Sequence, residues 1–210
     1  MWRMWLLVVI KPPTGRCVPY WTALSNLLLT LGCLFMLGCE PVAPTEQPLT
    51  RLDGSVVTLA QAQATPYSVV FFLSPECPLC ENYSHVIDEL RAEVSPDSVA
   101  FFGVFPGRYY AKLTIQGFLA RYHPDVSVLL DPDYALTHAL GASVTPEAFL
   151  LDQAGEILYQ GPIDNWIPRL GVKRTVITAH YLRDAIRAVQ QGQPVPVADQ
   201  PPVGCLIEGA

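Results

Sequence analysis

The chain has 210 residues, of which 50% are hydrophobic and 15% charged, and its formal net charge is −6. This length is sufficient for one domain with a sizeable hydrophobic core. All three charges before Glu40 are positive, so the remainder of the chain carries a formal charge of −9. An acidic domain without a basic run argues against nucleic acid as a partner.

The N-terminal segment, residues 1–39, predicts a signal sequence or a single membrane anchor. Residues 17–39 carry no formal charge, and basic residues precede them while an acid follows. This order of charges places the basic side in the cytoplasm and the following domain outside it. The segment ends in Gly38-Cys39, which resembles the lipobox of bacterial lipoproteins, so Cys39 is a candidate for lipidation and an uncleaved anchor is the alternative. Residues 40–49 contain three prolines and predict a semi-rigid tether.

A buried strand, a cysteine pair and a helix then follow one another. Residues 68–73 are mostly β-branched or aromatic, which indicates a buried strand, and helical spacing of apolar residues begins after Cys80. Pro78 suits the first helical turn, so the sulfur of Cys77 would face free amides and the positive end of the helix dipole. Both stabilise a thiolate, with Cys80 one turn behind. This pattern favours redox chemistry, and a structural pair or half of a zinc site remains possible although no second CxxC or HxxxH cluster exists.

The rest of the chain predicts a mixed α/β fold. The expected elements are a hairpin at 52–59, strands at 98–105 and 126–130, helices at 112–122 and 134–140, a hairpin within 144–160 and a helix at about 175–191. Helices between parallel strands, followed by a hairpin, indicate an α/β sandwich with a mixed central sheet. The domain is predicted over residues 50–165, and residues 166–210 add a C-terminal helix and a proline-rich tail packing on it.

Three features of the chain resemble the thioredoxin fold and, more narrowly, its redoxin-type branch. They are the CxxC motif at 77–80 behind a buried strand, Thr145-Pro146 before the next strand, and the Asp152–Gly155 hairpin. That branch contains membrane-tethered thiol–disulfide oxidoreductases and peroxiredoxins. The resemblance implies a three-layer sandwich whose central mixed sheet is flanked by helices. It also implies a cis bond before Pro146, next to the cysteine pair.

The residues around the pair are the expected substrate groove. Pro146 would shape it, together with Thr145, Glu76 and Pro78. The chain departs from thioredoxins at Glu76, where tryptophan is usual, and a carboxylate there opposes thiolate formation at Cys77. The strand before the motif also lacks the buried acid that thioredoxins use to deprotonate the second cysteine.

The leading hypothesis is an extracytoplasmic, membrane-tethered thiol–disulfide oxidoreductase of the cell envelope. Cys77 would attack disulfides of exported proteins and Cys80 would resolve the mixed disulfide, with a membrane electron donor and without cofactor or metal. A peroxidase is the second hypothesis, because Ser74 stands three residues before Cys77, although Val70 replaces the proline of peroxiredoxins. A copper-delivery protein using Cys77 and Cys80 is the third, although those relatives have CxxxC spacing.

Cys205 is the odd cysteine of the globular part. It follows the proline-rich stretch 194–202, which is expected to be extended, and Gly204 before it allows close backbone approach. Two interpretations stay open. Cys205 is either a small buried hydrophobe that pins the tail, or a possible third thiol that meets the Cys77–Cys80 pair as a second resolving thiol or a metal ligand.

Overall fold

A seven-stranded mixed sheet lies at the centre of the fold. The structure is a computed structural model and describes residues 42–209. The strands are β1 (Pro48–Thr50), β2 (Val56–Thr58), β3 (Tyr67–Phe72), β4 (Val99–Pro106), β5 (Ser127–Asp131), β6 (Val144–Thr145), β7 (Glu147–Asp152), β8 (Ile157–Gly161) and β9 (Cys205–Leu206). The helices are α1 (Leu59–Ala62), α2 (Pro78–Glu93), α3 (Lys112–Tyr122), α4 (Ala135–Leu140) and α5 (Tyr181–Gln190).

The strand order in the sheet is β2-β1-β5-β4-β3-β7-β8. Strands β3, β4 and β5 are parallel to one another, and helices α2 and α3 make the crossovers between them. Strand β7 runs antiparallel to β3 and to β8, which gives the expected C-terminal hairpin. Strands β6 and β9 form a separate antiparallel pair beside the sheet. The central strand β3 therefore delivers the cysteine motif to the sheet edge where the parallel strands end.

Helices cover both faces of the sheet because the buried strands are apolar on both sides. On β3, Val69 and Phe71 belong to the core that includes α2, α3 and α5, whereas Val70 and Phe72 face the core that includes α1 and α4. Successive strand residues point to opposite faces, so one apolar run serves both layers. The predicted thioredoxin-like three-layer sandwich is confirmed.

The chain joins this fold earlier than the predicted tether allows. Residues Pro44–Glu46 form a 3₁₀ turn and Pro48 is the first residue of β1, so the last six residues of the predicted 40–49 tether are structured. Thr45 and Leu49 are buried. Proline is tolerated at the first residue of a strand, and a proline-rich composition alone did not reveal this pairing.

The C-terminal helix begins later than predicted. Helix α5 starts at Tyr181, about one and a half turns after the expected start near residue 175. The intervening run from Thr175 to Thr178 consists of four β-branched residues, which have low helix propensity. Thr178 instead exchanges hydrogen bonds with the side chain of Asn165. Beyond the helix, Val195, Ala198 and Val203 of the tail pack against the core.

Candidate active site

Cys77 lies at the junction between the central strand and helix α2. It is the N-cap residue, in extended conformation, and Pro78 is the first helical residue as expected. The backbone amide of Glu81 donates to the Cys77 carbonyl at 3.2 Å, which begins the helix. The Cys77 side chain makes no capping hydrogen bond, so the expected contact of its sulfur with the first free amides is absent in this state. The sulfur is instead bonded to another cysteine.

That partner is Cys205, which forms a disulfide with Cys77 across a sequence separation of 128 residues. The two Cα atoms are 6.1 Å apart, within the usual range for a disulfide. Cys77 is only 1% exposed in this state, whereas Cys205 is partly exposed. The structure thus places Cys205 at the cysteine pair, which is the second of the two interpretations that the sequence left open.

The loop before β7 supports both sulfurs. The Thr145–Pro146 bond is cis, as the resemblance implied. The carbonyl oxygen of Thr145 lies 3.2 Å from the sulfur of Cys77, and in the antiparallel β6–β9 pair Thr145 stands opposite Cys205. The backbone on either side of this loop is fixed by a buried carboxylate, because Glu147 accepts hydrogen bonds from the amides of Ser143 (2.9 Å) and Val144 (3.4 Å).

Cys80 is the one free cysteine among the residues that the structure describes. It is fully buried on the inner face of α2, and the amide of Ser74 donates to its sulfur at 3.4 Å. Burial raises the pKa of the Cys80 thiol to about 12, because the charged thiolate would lose its hydration and the nearby Glu81 carboxylate adds to the effect. At neutral pH Cys80 is therefore a thiol.

A pocket of about 390 Å³ opens beside the disulfide. Both bonded cysteines line it, and so do Thr145 and Glu76 of the expected substrate groove. Two other residues of the expected groove do not line the pocket, since Pro78 is exposed at the start of α2 and Pro146 is buried. The other walls come from three tyrosines and the tail, namely Tyr109, Tyr110, Tyr134 and residues 206–208.

Two of the lining tyrosines, Tyr109 and Tyr110, belong to an aromatic-rich stretch of the chain that begins at Phe101. Tyr110 shares a hydrogen bond of 2.9 Å with the hydroxyl of Ser74, three residues before Cys77. Tyr109 is 70% exposed at the mouth of the pocket, while Phe102 and Phe105 of the same stretch are buried in the core. The aromatic residues of this stretch thus divide between the core and the pocket.

A buried tyrosine–aspartate pair holds helix α2 near its start. Tyr83 donates to the Asp164 carboxylate at 2.7 Å, and the amide of Trp166 donates to the same oxygen at 2.8 Å. Burial raises the pKa of Tyr83, and its hydrogen bond to Asp164 raises it further. The rings of Tyr83 and Trp166 also pack edge to face. No sequence motif indicates this pair, since its members are 81 residues apart.

Several other sequence predictions concern residues away from the cysteines or outside the described part. His85 is exposed on α2. Within residues 42–209, no group of three or more His, Cys, Asp or Glu residues is placed to hold a metal ion. Over the same residues, no helix is long and apolar enough to cross a membrane. Cys39, the lipidation candidate, lies with segment 1–39 outside the described residues.

Known proteins share this architecture. A hypothetical protein from Sinorhizobium meliloti 1021 aligns with 24% identity and a TM-score of 0.67, covering 80% of this chain and 93% of that one. An uncharacterized conserved protein from Geobacillus kaustophilus gives 24% identity and a TM-score of 0.67, with 81% and 93% covered. A thioredoxin-like protein from Aeropyrum pernix gives 17% identity and a TM-score of 0.48, with 54% and 79% covered.

These likenesses concern the fold, and no curated protein matches the chain. The family comparison is more specific, because the Redoxin family matches residues 40–166. This range includes the CxxC motif and the cis-proline loop, and it ends before the tail that carries Cys205. The chain has a thioredoxin-like fold and belongs to the Redoxin family.

Proposed function

We propose that this protein is an extracytoplasmic thiol–disulfide oxidoreductase in which Cys77 is the attacking thiol. The observation that carries the proposal is the position of Cys77, at the start of helix α2 and against the cis-proline loop, where it is already bonded to a second cysteine. A cysteine at the N-terminus of a helix gains thiolate character from the free amides and the helix dipole once it is reduced. The Redoxin match over residues 40–166 supports the same chemistry.

The reaction exchanges one disulfide for another. The Cys77 thiolate attacks a sulfur of a substrate disulfide, the substrate bond breaks, and one substrate sulfur leaves as a thiolate while the other stays bonded to Cys77. A second thiol of the protein then attacks Cys77 and releases the substrate, which has gained two electrons. The sequence pattern assigned that second step to Cys80. Cys205 is the other thiol of the described residues within reach.

Disulfides of exported proteins are the proposed substrates. The pocket beside Cys77 is open at Tyr109 and offers aromatic walls for a side chain next to the substrate cysteine. Pro146 has no amide hydrogen, so it does not donate to a neighbouring strand and leaves this edge open to an extended chain. The N-terminal segment 1–39 supports tethering to the membrane through lipidated Cys39 or an uncleaved span, with electrons supplied by a membrane donor.

The test uses the full-length chain in detergent and a fluorescent peptide disulfide as substrate. Wild type should accelerate exchange between the peptide and a dithiol, and Cys77→Ser should lower the rate at least about a hundredfold because the attacking sulfur is gone. His85→Ala, which changes an exposed residue of the same helix, is the control and should keep the wild-type rate. A wild-type chain that does not exceed the uncatalysed rate would refute the proposal.

A further inference from the structure

Cys77 is bonded to a cysteine of the C-terminal tail while the neighbouring cysteine of its own CxxC motif stays free. The tail pairs with strand β6, where Cys205 lies opposite Thr145 of the cis-proline loop. Cys77 is therefore bonded to a residue of the tail and not to one of its own helix. Its Cα lies 6.1 Å from that of Cys77, a distance at which the bond needs no backbone movement.

Two backbone contacts and one buried side chain bring Cys205 to this position. Cys205 pairs with Thr145 in the β6–β9 ladder. Beyond it, the amide of Ile207 donates to the Ser143 carbonyl at 3.0 Å, and the Ile207 side chain is 9% exposed in the core below the sheet. These contacts position the tail independently of the disulfide.

Gly204 is the fourth feature, because at this residue the backbone of the tail lies very close to the backbone of Thr145. A Cβ atom at this position would lie 2.7 Å from the carbonyl carbon of Thr145 and would overlap its oxygen. Because both are backbone atoms, a side chain could not be accommodated without moving the tail. Glycine directly before Cys205 therefore allows the tail to lie against the cis-proline loop.

The two thiols that could release a substrate from Cys77 differ in exposure. Cys80 is fully buried, and because burial raises the pKa of its thiol to about 12, very little of it is thiolate at pH 7. Cys205 is partly exposed and lines the pocket into which a substrate sulfur would enter. Since the thiolate is the attacking species, Cys80 is poorly suited to the second step in this conformation.

We propose that Cys205 is the thiol that resolves the mixed disulfide on Cys77, with the tail strand β9 closing over Cys77 as the substrate leaves. This role rests on the proposed oxidoreductase function. The Cys205 thiolate attacks the Cys77 sulfur, the bond between Cys77 and the substrate breaks, and the substrate sulfur departs as a thiolate that takes a proton from water. Cys77 and Cys205 end as one disulfide, and the substrate has gained two electrons.

The position of the tail also implies an order of events. Strand β9 occupies the edge that an extended substrate chain would need for pairing with β6, and Cys77 is 1% exposed while the tail is in place. Substrate and tail therefore alternate at this edge. The tail leaves when Cys77 is reduced and a substrate binds, and its return delivers Cys205 and displaces the product.

The experiment follows release of the fluorescent peptide from full-length protein in detergent. Reduced protein reacts with one equivalent of the peptide disulfide, acid stops the reaction at set times, and mass spectrometry locates the label. In Cys205→Ser the peptide should accumulate on Cys77 and leave at least about tenfold more slowly than in wild type. In Cys80→Ser release should stay within about twofold of wild type.

Two further variants retain the Cys205 thiol and test whether the tail delivers it to Cys77. Gly204→Ala retains Cys205 but obstructs its approach, so it should also prolong the mixed disulfide on Cys77, by about tenfold. Val197→Ser, at a 93% exposed site of the same tail, is the matched control and should release peptide at the wild-type rate. Slower release in Gly204→Ala with intact Cys80 would support delivery of Cys205 by the tail.

The outcomes separate this proposal from the function on which it rests. Accumulation in Cys80→Ser with normal release in Cys205→Ser would overturn it, and so would normal release in both variants. If wild type and all variants formed no label on Cys77, the oxidoreductase function itself would fail. Label on Cys77 followed by rapid release in Cys205→Ser would refute the tail's role alone.

Discussion

The two cysteine-bearing segments that meet at the site are held in place by different kinds of contact. Cys77 and Cys80 stand at the start of α2, whose inner face is buried in the core together with the adjacent strand β3. Cys205 stands in a two-residue strand near the C-terminus, in a tail whose neighbouring Leu206 is 81% exposed. The first segment is fixed by the core, whereas the second is held by the two-residue β6–β9 pairing, the buried Ile207 side chain and one disulfide.

This difference suits two chemical roles. A nucleophile must be held in one geometry against the loop that receives the substrate, and a strand-to-helix junction in the core provides this. A resolving thiol that alternates with substrate must leave and return, and weakly held segments open most easily. Variants or conditions that change one segment and spare the other therefore test whether the two segments differ in this way.

The largest expected effect on stability comes from reducing the Cys77–Cys205 disulfide. The bond closes a loop of 128 residues, and the chain-entropy model gives about 5 kcal/mol of stabilisation at most for such a loop. Urea unfolding of oxidised and reduced wild type measures the difference. In Cys205→Ser the difference should shrink strongly, since a bridge between Cys77 and Cys80 closes only a short loop.

A smaller loss of stability is expected when the buried hydrogen bond between Tyr83 of α2 and Asp164 is removed. Tyr83→Phe removes the hydrogen bond to Asp164 and leaves that buried carboxylate with the Trp166 amide, which should cost about 2 kcal/mol in urea unfolding. Tyr109→Phe is the control at a 70% exposed tyrosine and should change stability by less than about 0.5 kcal/mol. Equal effects in the two variants would mean that the core contact does not fix the nucleophile segment.

The smallest expected effect on stability is a pH dependence that arises from the Cys80 thiol. Its pKa is raised from 9.0 to about 12 by burial, so the folded state favours the neutral thiol more than the unfolded chain does. The resulting stability is fully present below pH 9 and is lost as pH rises towards 12. Between pH 8 and pH 10, oxidised wild type should lose about 1 kcal/mol more than Cys80→Ala in urea unfolding.

Because the variant is compared with wild type at each pH, the tyrosines that also titrate in this range cancel. Identical pH dependence in the two proteins would contradict a strongly raised Cys80 pKa. It would also weaken the argument that Cys80 is a poor second nucleophile.

The first segment could be predicted because its information is local. The apolar run before Cys77 and the helical spacing after Cys80 can each be recognised within about ten residues, and Pro78 marks the start of the helix. The expected helix at 112–122 coincides with α3 for the same reason. The family resemblance, rather than the Thr145-Pro146 dipeptide itself, supplied the cis bond.

The second segment could not be assigned because its contacts are long-range. The β6–β9 pairing joins positions 60 residues apart through only two residues on each strand, too few to show alternation. A lone cysteine after a proline-rich stretch is compatible with burial or with bonding, and sequence spacing does not distinguish them. Cys77 is bonded to Cys205 and not to Cys80, because the tail lies beside the cis-proline loop and brings Cys205 to Cys77.

Disulfide mapping of the oxidised full-length chain distinguishes the two possible partners of Cys77. Free thiols are blocked with an alkylating reagent under denaturing acidic conditions, and the linked peptides are identified by mass spectrometry. The expected result is a bond between Cys77 and Cys205 with Cys80 recovered in alkylated form. A bond between Cys77 and Cys80, with Cys205 alkylated, would contradict it.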